Sequence, residues 1–398
     1  MKEKNQPGKW YILAVGAAIQ ILTGIPAAWG VFQRPVVEQY GLEESQAGLA
    51  FSLLIGAFGI GCVIGGYLQD RKGPRAAGLW GTALLSGGFF CAAFLEGKGP
   101  GLFYLGFSIP AGLGCAFLYP AVMSCAQKWY RSRKGLATGI IGGAVGFSGA
   151  FLTLFVRWVN GRWGLPAAFL GLGSLMLLVC GGGSLLLKNP PPAKQEPRFQ
   201  GKKYKQPPFD LPPKRMLRTR QYWLAAGVVA LATPTVLLFS PIIVQLGQER
   251  GLSENMAHLS IMIGSVGSAA GRLLCPLASD RYGRRAAYTL LFGLLAALSA
   301  GFIFAQGWLV ILCYTALTFC YSGQAAILPS LSTDLFGMPH AGVNYGFLAL
   351  GMTAGSLGSH FLAQSFEGEL VRHFIAIGAA VGGIICIRLL KPTQGERL

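Results

Sequence analysis

The chain has 398 residues, 53% of them hydrophobic and only 12% charged, with 58 glycines and a mean hydropathy of +0.50. Soluble domains are about a quarter charged, so a soluble enzyme is excluded. A secreted disulfide scaffold is excluded too: the nine cysteines are odd in number, lie almost entirely in apolar runs and show neither CxxC nor metal-ligand spacing, so they read as small apolar fillers.

Apolar runs of the length that crosses a ~30 Å hydrocarbon core recur at roughly 11–31, 47–68, 77–95, 101–126, 135–156 and 164–187, and again at 222–246, 257–279, 286–305, 307–331, 341–363 and 371–390. These twelve spans predict an all-α membrane protein. Span 1 follows Met-Lys-Glu-Lys without an A-x-A cleavage site and reads as a retained helix, not a signal peptide. Residues 188–220 break the pattern with Pro190, Pro191 and Pro192, ten basic residues and two acids. The expected division is a six-helix bundle over 1–187, a cytoplasmic linker over 188–220 and a second six-helix bundle over 221–398. Span 12 carries Arg372, His373 and Arg388, which near its ends can snorkel to the interface.

The net charge of +18 would suggest nucleic acid in a soluble chain, but here its placement matters more. With a cytoplasmic amino terminus, 26 Lys and Arg fall on that side and 6 on the other. That bias places both termini in the cytoplasm of a multi-pass protein of the cell (plasma or inner) membrane. The basic stripe is a topology signal and no nucleic-acid partner is expected.

Asp70-Arg71-Lys72-Gly73-Pro74-Arg75 after span 2 is matched 210 residues later by Asp280-Arg281-Tyr282-Gly283-Arg284-Arg285 after span 8. Gly135 and Gly139 opening span 5 are matched 207 residues later by Gly342 and Gly346 opening span 11. Two unrelated patterns repeated at nearly one offset indicate duplication, and parallel six-span repeats are a transporter plan. In these turns Gly73 and Gly283 permit a tight bend, while Asp70 or Asp280 can pair with an Arg or sit against a helix terminus. Asp70, Arg71, Asp280 and Arg281 are therefore candidates for conformational gating. A basic turn required only by topology is the alternative.

With Gly66 ahead of it, the first copy resembles the G-x-x-x-D-R-x-G-R-R loop of the major facilitator superfamily. Within that superfamily the chain is similar to the oxalate/formate antiporter family and its relatives, the monocarboxylate transporters. The residues that carry the likeness are Gly112-x-Gly114 with Tyr119-Pro120, Lys128-Trp129-Tyr130 and Arg133-Lys134-Gly135-Leu136-Ala137-x-Gly139. The second half adds Tyr321-Ser322-Gly323, Pro329, Asp334-Leu335-Phe336-Gly337 and Asn344-Tyr345-Gly346, and Trp29-Gly30-Val31-Phe32 in span 1 fits more loosely. The resemblance implies the major facilitator fold, with twelve transmembrane helices in two pseudo-symmetric six-helix bundles. It also implies a transporter that works as a monomer and is not an enzyme.

Span 5 carries Gly142, Gly143, Gly146 and Gly149, while spans 8 and 11 carry Gly264, Gly267, Gly271, Gly351 and Gly355. Such faces let backbones approach closely, for static packing or for rocking in alternating access. Gly146-Phe147-Ser148-Gly149 matches the G-x-S-G of intramembrane serine proteases, but nothing marks His360 as its base. No nucleotide, haem or zinc fingerprint appears, and no cofactor or metal is expected.

All fifteen acids lie in tails, loops or at helix ends, and of 33 basic residues all but Arg272 are placed outside the hydrocarbon. An Arg at that depth costs about 2.5–3.5 kcal/mol even on lenient insertion scales, and no acid exists at membrane depth to pair with it. A substrate anion can supply the missing charge. Arg matches a carboxylate through two parallel hydrogen bonds, and family relatives carry an Arg in helix 8 that contacts the substrate carboxylate. Bonding to backbone carbonyls near Pro276, or to headgroups, is the alternative. Polarity and depth add Tyr119 as a donor, Tyr321 and Gln324 to close the pocket, and Val145 and Ala28 as apolar walls. Relatives that carry oxalate have a Lys in helix 11 where this chain has Met352, which favours a monocarboxylate. Monocarboxylate transporters place an Asp one turn from the Arg, and here that position is Ser268. The expected function is proton-coupled symport of a small monocarboxylate of the lactate, pyruvate or formate class, with the bilayer, the proton and the acid as partners. An oxalate/formate-type anion exchanger is the alternative. An anion channel and a transport-derived sensor fit less well.

Overall fold

The computed structural model describes residues 9–130, 134–190, 211–337, 340–365 and 368–390. Most of the expected linker, residues 191–210, lies outside these, and the described residues contain helices and no strand. α1 runs over Lys9–Thr23, breaks at Gly24 and resumes as Ile25–Tyr40. α2 is Glu44–Lys72, α3 Pro74–Ala93 and α4 Pro100–Trp129. α5 and α6 form the continuous stretch Lys134–Met176, extended through Leu177–Gly181 and Gly182–Leu186. α7 is interrupted, as Arg220–Ala232, Pro234–Leu237 and Ile243–Glu249. α8 is Glu254–Tyr282, α9 Arg284–Phe302, α10 Trp308–Phe336, α11 Ala341–Ser365 and α12 Glu369–Leu389.

Each helix covers one of the expected spans, but most run past the apolar residues, because backbone pairing continues until the chain meets a residue that can turn. Gly73 (φ 85°) and Gly283 (φ 90°) end α2 and α8 in the left-handed half of backbone space. Each lets the next helix begin at once, as the repeated turn predicts. Spans 5 and 6 are not separated by the expected loop. Gly164 (φ 80°, ψ 170°) alone reverses the chain, so Phe155 packs at Gly171 and the Trp158 and Trp163 rings lie 5.3 Å apart.

Nine described segments are long and apolar enough to cross a membrane, and the 50-residue one, Ala137–Leu186, contains both α5 and α6. α7 falls short through its breaks, and α11 because small and polar residues dilute it.

Within the first half α4 packs on α2 and α3, and α1 and α3 pack on the α5–α6 hairpin; in the second, α10 packs on α8 and α9, and α11 and α12 pack on α7. The halves meet mainly along α2 with α11 and along α5 with α8. Since α8 is the repeat of α2 and α11 the repeat of α5, this is one interface made twice. The duplication read from the motif offsets thus reappears as a two-fold relation in space.

The glycine-rich faces divide in a way periodicity alone did not show. A Cβ on Gly146 would lie 2.4 Å from the Ala269 backbone, one on Gly149 2.2 Å from Ser265 Oγ, one on Gly59 2.7 Å from the Ala349 carbonyl and one on Gly346 2.7 Å from that of Cys62. These positions face the other half. Gly267 and Gly271 instead press on Thr315 and Phe319 of α10, and Gly351 and Gly355 on Ala226 and Ala230 of α7. They close contacts within one half and serve static packing.

At the end of the second half where α7 and α9 stop, Arg250 pairs with Glu369, bonds the Phe302 and Ala305 carbonyls and lies over the Phe302 ring at 5.1 Å. His373 does not snorkel as expected. It is fully buried between the Phe239 and Phe302 rings, with Nδ1 3.1 Å from the Ser299 carbonyl.

Candidate functional site

The break in α1 decides where space opens between the halves. With no side chain, Gly24 lets α1 press on α5: a Cβ there would fall 1.6 Å from Ser148 Oγ. Ser148, the serine of the protease-like tetrapeptide, is spent locally, donating to the Val145 carbonyl. Beyond the break, Pro26 and Ala27 turn toward a cavity of about 130 Å³ lined by α1, α2, α4 and α5 on one side and α7, α8, α10 and α11 on the other. It lies where both halves contribute.

The α8 wall is polar. Ser265, Ser268 and Arg272 recur at i, i+3 and i+7, which puts them on one helical face. The α10 wall presents Tyr314, Thr318 and Tyr321 at i, i+4 and i+7, again one helical face, joined by Ser322. The two are stitched together: the Ser268 and Ser322 hydroxyls are 2.7 Å apart, and Thr318 donates to the Gly264 carbonyl at 2.9 Å. Ser240 of α7 crosses to the first half by donating to the Pro26 carbonyl at 3.2 Å. The opposite wall is mostly apolar, built from Leu54, Ile55 and Phe58 of α2, Cys115 of α4 and Val145 of α5.

Arg272 lies ten residues before the end of α8, about 15 Å inside it at 1.5 Å per residue. Its stem passes Gly142, where a Cβ would meet Arg272 Cβ at 3.6 Å. Its Nε is buried with no hydrogen-bond partner, and among the described residues no ion pair involves it. Tyr119 and Tyr321 line the same cavity as Arg272, and Tyr345 lines the chamber beside it. The arrangement is an unpaired cation ringed by phenols and hydroxyls, able to hold a small anion through charge-assisted hydrogen bonds.

Of the residues expected from sequence, Arg272, Tyr119, Tyr321, Val145 and Met352 line this cavity. Ala28 does not. It is fully buried in the apolar core, because one residue past Ala27 rotates it about 100° away from the lumen. Gln324 also misses the cavity and lines a smaller neighbouring chamber. Sequence reading missed Ser265, Thr318, Tyr314 and Ser240 as lining residues. The i, i+3, i+7 hydroxyl-and-Arg stripe in an otherwise apolar α8 was the available signal.

The four loop-motif residues lie at the helix ends, away from the cavity. Asp70 sits against the start of α11, its carboxylate oxygens 3.3 and 3.4 Å from where a Cβ of Gly342 would be, with Lys128 and His340 nearby. Arg71 lies over the Tyr67 ring at 4.5 Å. Asp280 pairs with Arg284 at 2.5 Å, Arg284 also reaches Asp334 at 3.1 Å, and Arg281 lies over Tyr282 at 5.6 Å. Asp70 thus touches the other half, while the bond from Asp280 stays within its own.

Comparison with known proteins agrees with this geometry. The chain is 25% identical over 345 residues to the oxalate:formate antiporter of Oxalobacter formigenes, covering 85% of this chain and 80% of that protein. It is 29% identical over 182 residues to monocarboxylate transporter 9 of Mus musculus, covering 43% and 34%. A solved structure of the xylose transporter XylE from E. coli, in a partially occluded inward-open conformation, superposes with a TM-score of 0.69 at 13% identity, over 99% of this chain and all of that one. The Major Facilitator Superfamily pattern matches residues 12–360 and again 226–397. With its two matched halves and the cavity between them, the chain belongs to the Major Facilitator Superfamily, and it is a multi-pass membrane transporter.

Proposed function

We propose that the protein carries a small monocarboxylate of the lactate, pyruvate and formate class by alternating access, together with a proton. The observation that carries this reading is the lone Arg272, with a buried unpartnered Nε in a cavity shared by both halves and no carboxylate paired with it among the described residues. Tyr119 completes the anchor, Tyr321, Val145 and Met352 bound the acid's carbon chain, and the short apolar walls suit a small substrate. The similarity to an oxalate:formate antiporter and a monocarboxylate transporter supports a carboxylate cargo. Met352 in place of a second cation favours one carboxylate over two. Units 1–187 and 221–398 would rock on the paired α2–α11 and α5–α8 contacts, and the positive-inside bias would put both termini and residues 188–220 in the cytoplasm.

One observation favours exchange as the second reading. An empty carrier must occlude Arg272 unpaired, which is costly, whereas a loaded one occludes a neutral pair. For net uptake the proton would travel with the substrate or over the Ser268–Ser322 hydroxyl pair, which occupies the level where relatives have an Asp.

The deciding experiment uses proteoliposomes without internal anion. Acidifying the outside should drive uptake of labelled lactate, and uptake only with a counter-anion inside would establish the exchanger instead. Arg272→Lys, which keeps the charge and loses the fork, should weaken binding at least about tenfold, and Arg272→Ala should abolish it. Lactate and pyruvate binding to Arg272→Ala as tightly as to the parent would refute the carboxylate reading.

A further inference from the structure

Three residues past Tyr321 on α10, Gln324 is turned about 60° around the helix and displaced about 4.5 Å along it. That sends it into a second, small chamber of about 30 Å³ between α7, α9, α10 and α11, enough for one small polar group. Tyr321 and Met352 line both spaces and so form the partition between them. Met352 is unbranched and flexible, a partition that can yield to a substrate.

Gln324 is 2% exposed, and neither its Oε1 nor its Nε2 has a hydrogen-bond partner. Its backbone is held, since the Tyr288 hydroxyl donates to the Gln324 carbonyl at 2.8 Å. The other lining hydroxyl of α7, on Thr233, is already used on the Val229 carbonyl at 2.8 Å. Buried amides are normally paired at both ends, and one left open on both atoms in a space with room for a guest needs a guest that both donates and accepts. None of the residues lining the chamber is charged. A carboxylate there would occupy only Nε2 and bury its charge without compensation, whereas a hydroxyl can accept from Nε2 and donate to Oε1.

We infer that the Gln324 chamber is a second substrate subsite, which takes a neutral hydroxyl group at the far end of an acid whose carboxylate is held by Arg272. This deepens the carboxylate reading and rests on it. The preferred cargo is then a monocarboxylate whose far polar group lies several bonds from the carboxylate, beyond the Tyr321–Met352 partition.

The test measures competition by butyrate, 4-hydroxybutyrate and succinate for binding to the full-length protein in proteoliposomes. In the parent, 4-hydroxybutyrate should bind about tenfold tighter than butyrate, the worth of one well-made buried hydrogen bond, and succinate weakest of the three. Gln324→Leu, near in volume and apolar, should remove the difference between the first two. Equal binding of butyrate and 4-hydroxybutyrate to the parent would mean that the chamber holds only water, and would overturn the subsite while leaving the Arg272 anchor standing. Discrimination that survives in Gln324→Leu would also overturn it, and binding of none of the three acids would remove both readings. Should Gln324→Leu fail to fold, the comparison in the parent decides.

Discussion

Replacing Gly146 with Ala tests whether the two halves must touch along α5 and α8. A Cβ at that position would lie 2.4 Å from both the N and Cα of Ala269 and 2.7 Å from its Cβ, against about 3.5–4.0 Å for carbon atoms in ordinary contact. The obstructing atoms are backbone and cannot swing aside, so the helices must separate by ~1 Å. Overpacking of this kind costs about 1–3 kcal/mol, equivalent to about 5- to 150-fold on an equilibrium between two conformations. Since the contact joins the halves, the penalty falls on conformations that bring α5 and α8 together at this level, and much less on the folding of either half. Initial rates of carboxylate uptake into proteoliposomes should fall by that factor while the thermal unfolding midpoint moves little. Gly267→Ala is the converse, since its Cβ would lie 2.6 Å from the Thr315 carbonyl inside one half, and it should lower the unfolding midpoint. Gly87→Ala in α3 meets nothing within 4 Å and should leave both quantities nearly unchanged. Full uptake by Gly146→Ala would refute the argument that this approach is needed for transport.

Met352→Lys places a cation at the partition between the two chambers, where a second carboxylate could reach it, and should shift preference from lactate toward oxalate and succinate. Unchanged selectivity in a folded variant would show that the position does not contact substrate. Gln200→Cys, in the segment between the halves and in a chain whose nine native cysteines are replaced, should resist an impermeant thiol reagent in intact cells, and ready labelling from outside would overturn the cytoplasmic assignment.

Twelve spans, their division into two matched sets and the exceptional status of Arg272 were legible in the sequence, because each depends on quantities that do not require the fold. An apolar run either is or is not long enough to cross hydrocarbon. Two unrelated motifs, repeated at offsets of 210 and 207 residues, mark duplication wherever the copies end up. An Arg without an acid at its depth is costly in any packing arrangement, so its singularity could be read before its neighbours were known. Tyr119 and Tyr321 followed from their depth and from family motifs.

What only the tertiary structure decided is which way each helix faces. Ala27 lines the cavity and Ala28 the core; Tyr321 and Ser322 face the central space and Gln324 the chamber behind it. Likewise Gly146 meets the opposite half while Gly267, equally hemmed in, meets its own. In an amphipathic helix of a soluble protein, water marks the outer face and polarity reveals it. In these helices lipid, core and neighbouring helix are all apolar, and a step of one residue turns a side chain by about 100°. Composition therefore determined the depth of each residue, and the packing of neighbouring helices determined its direction.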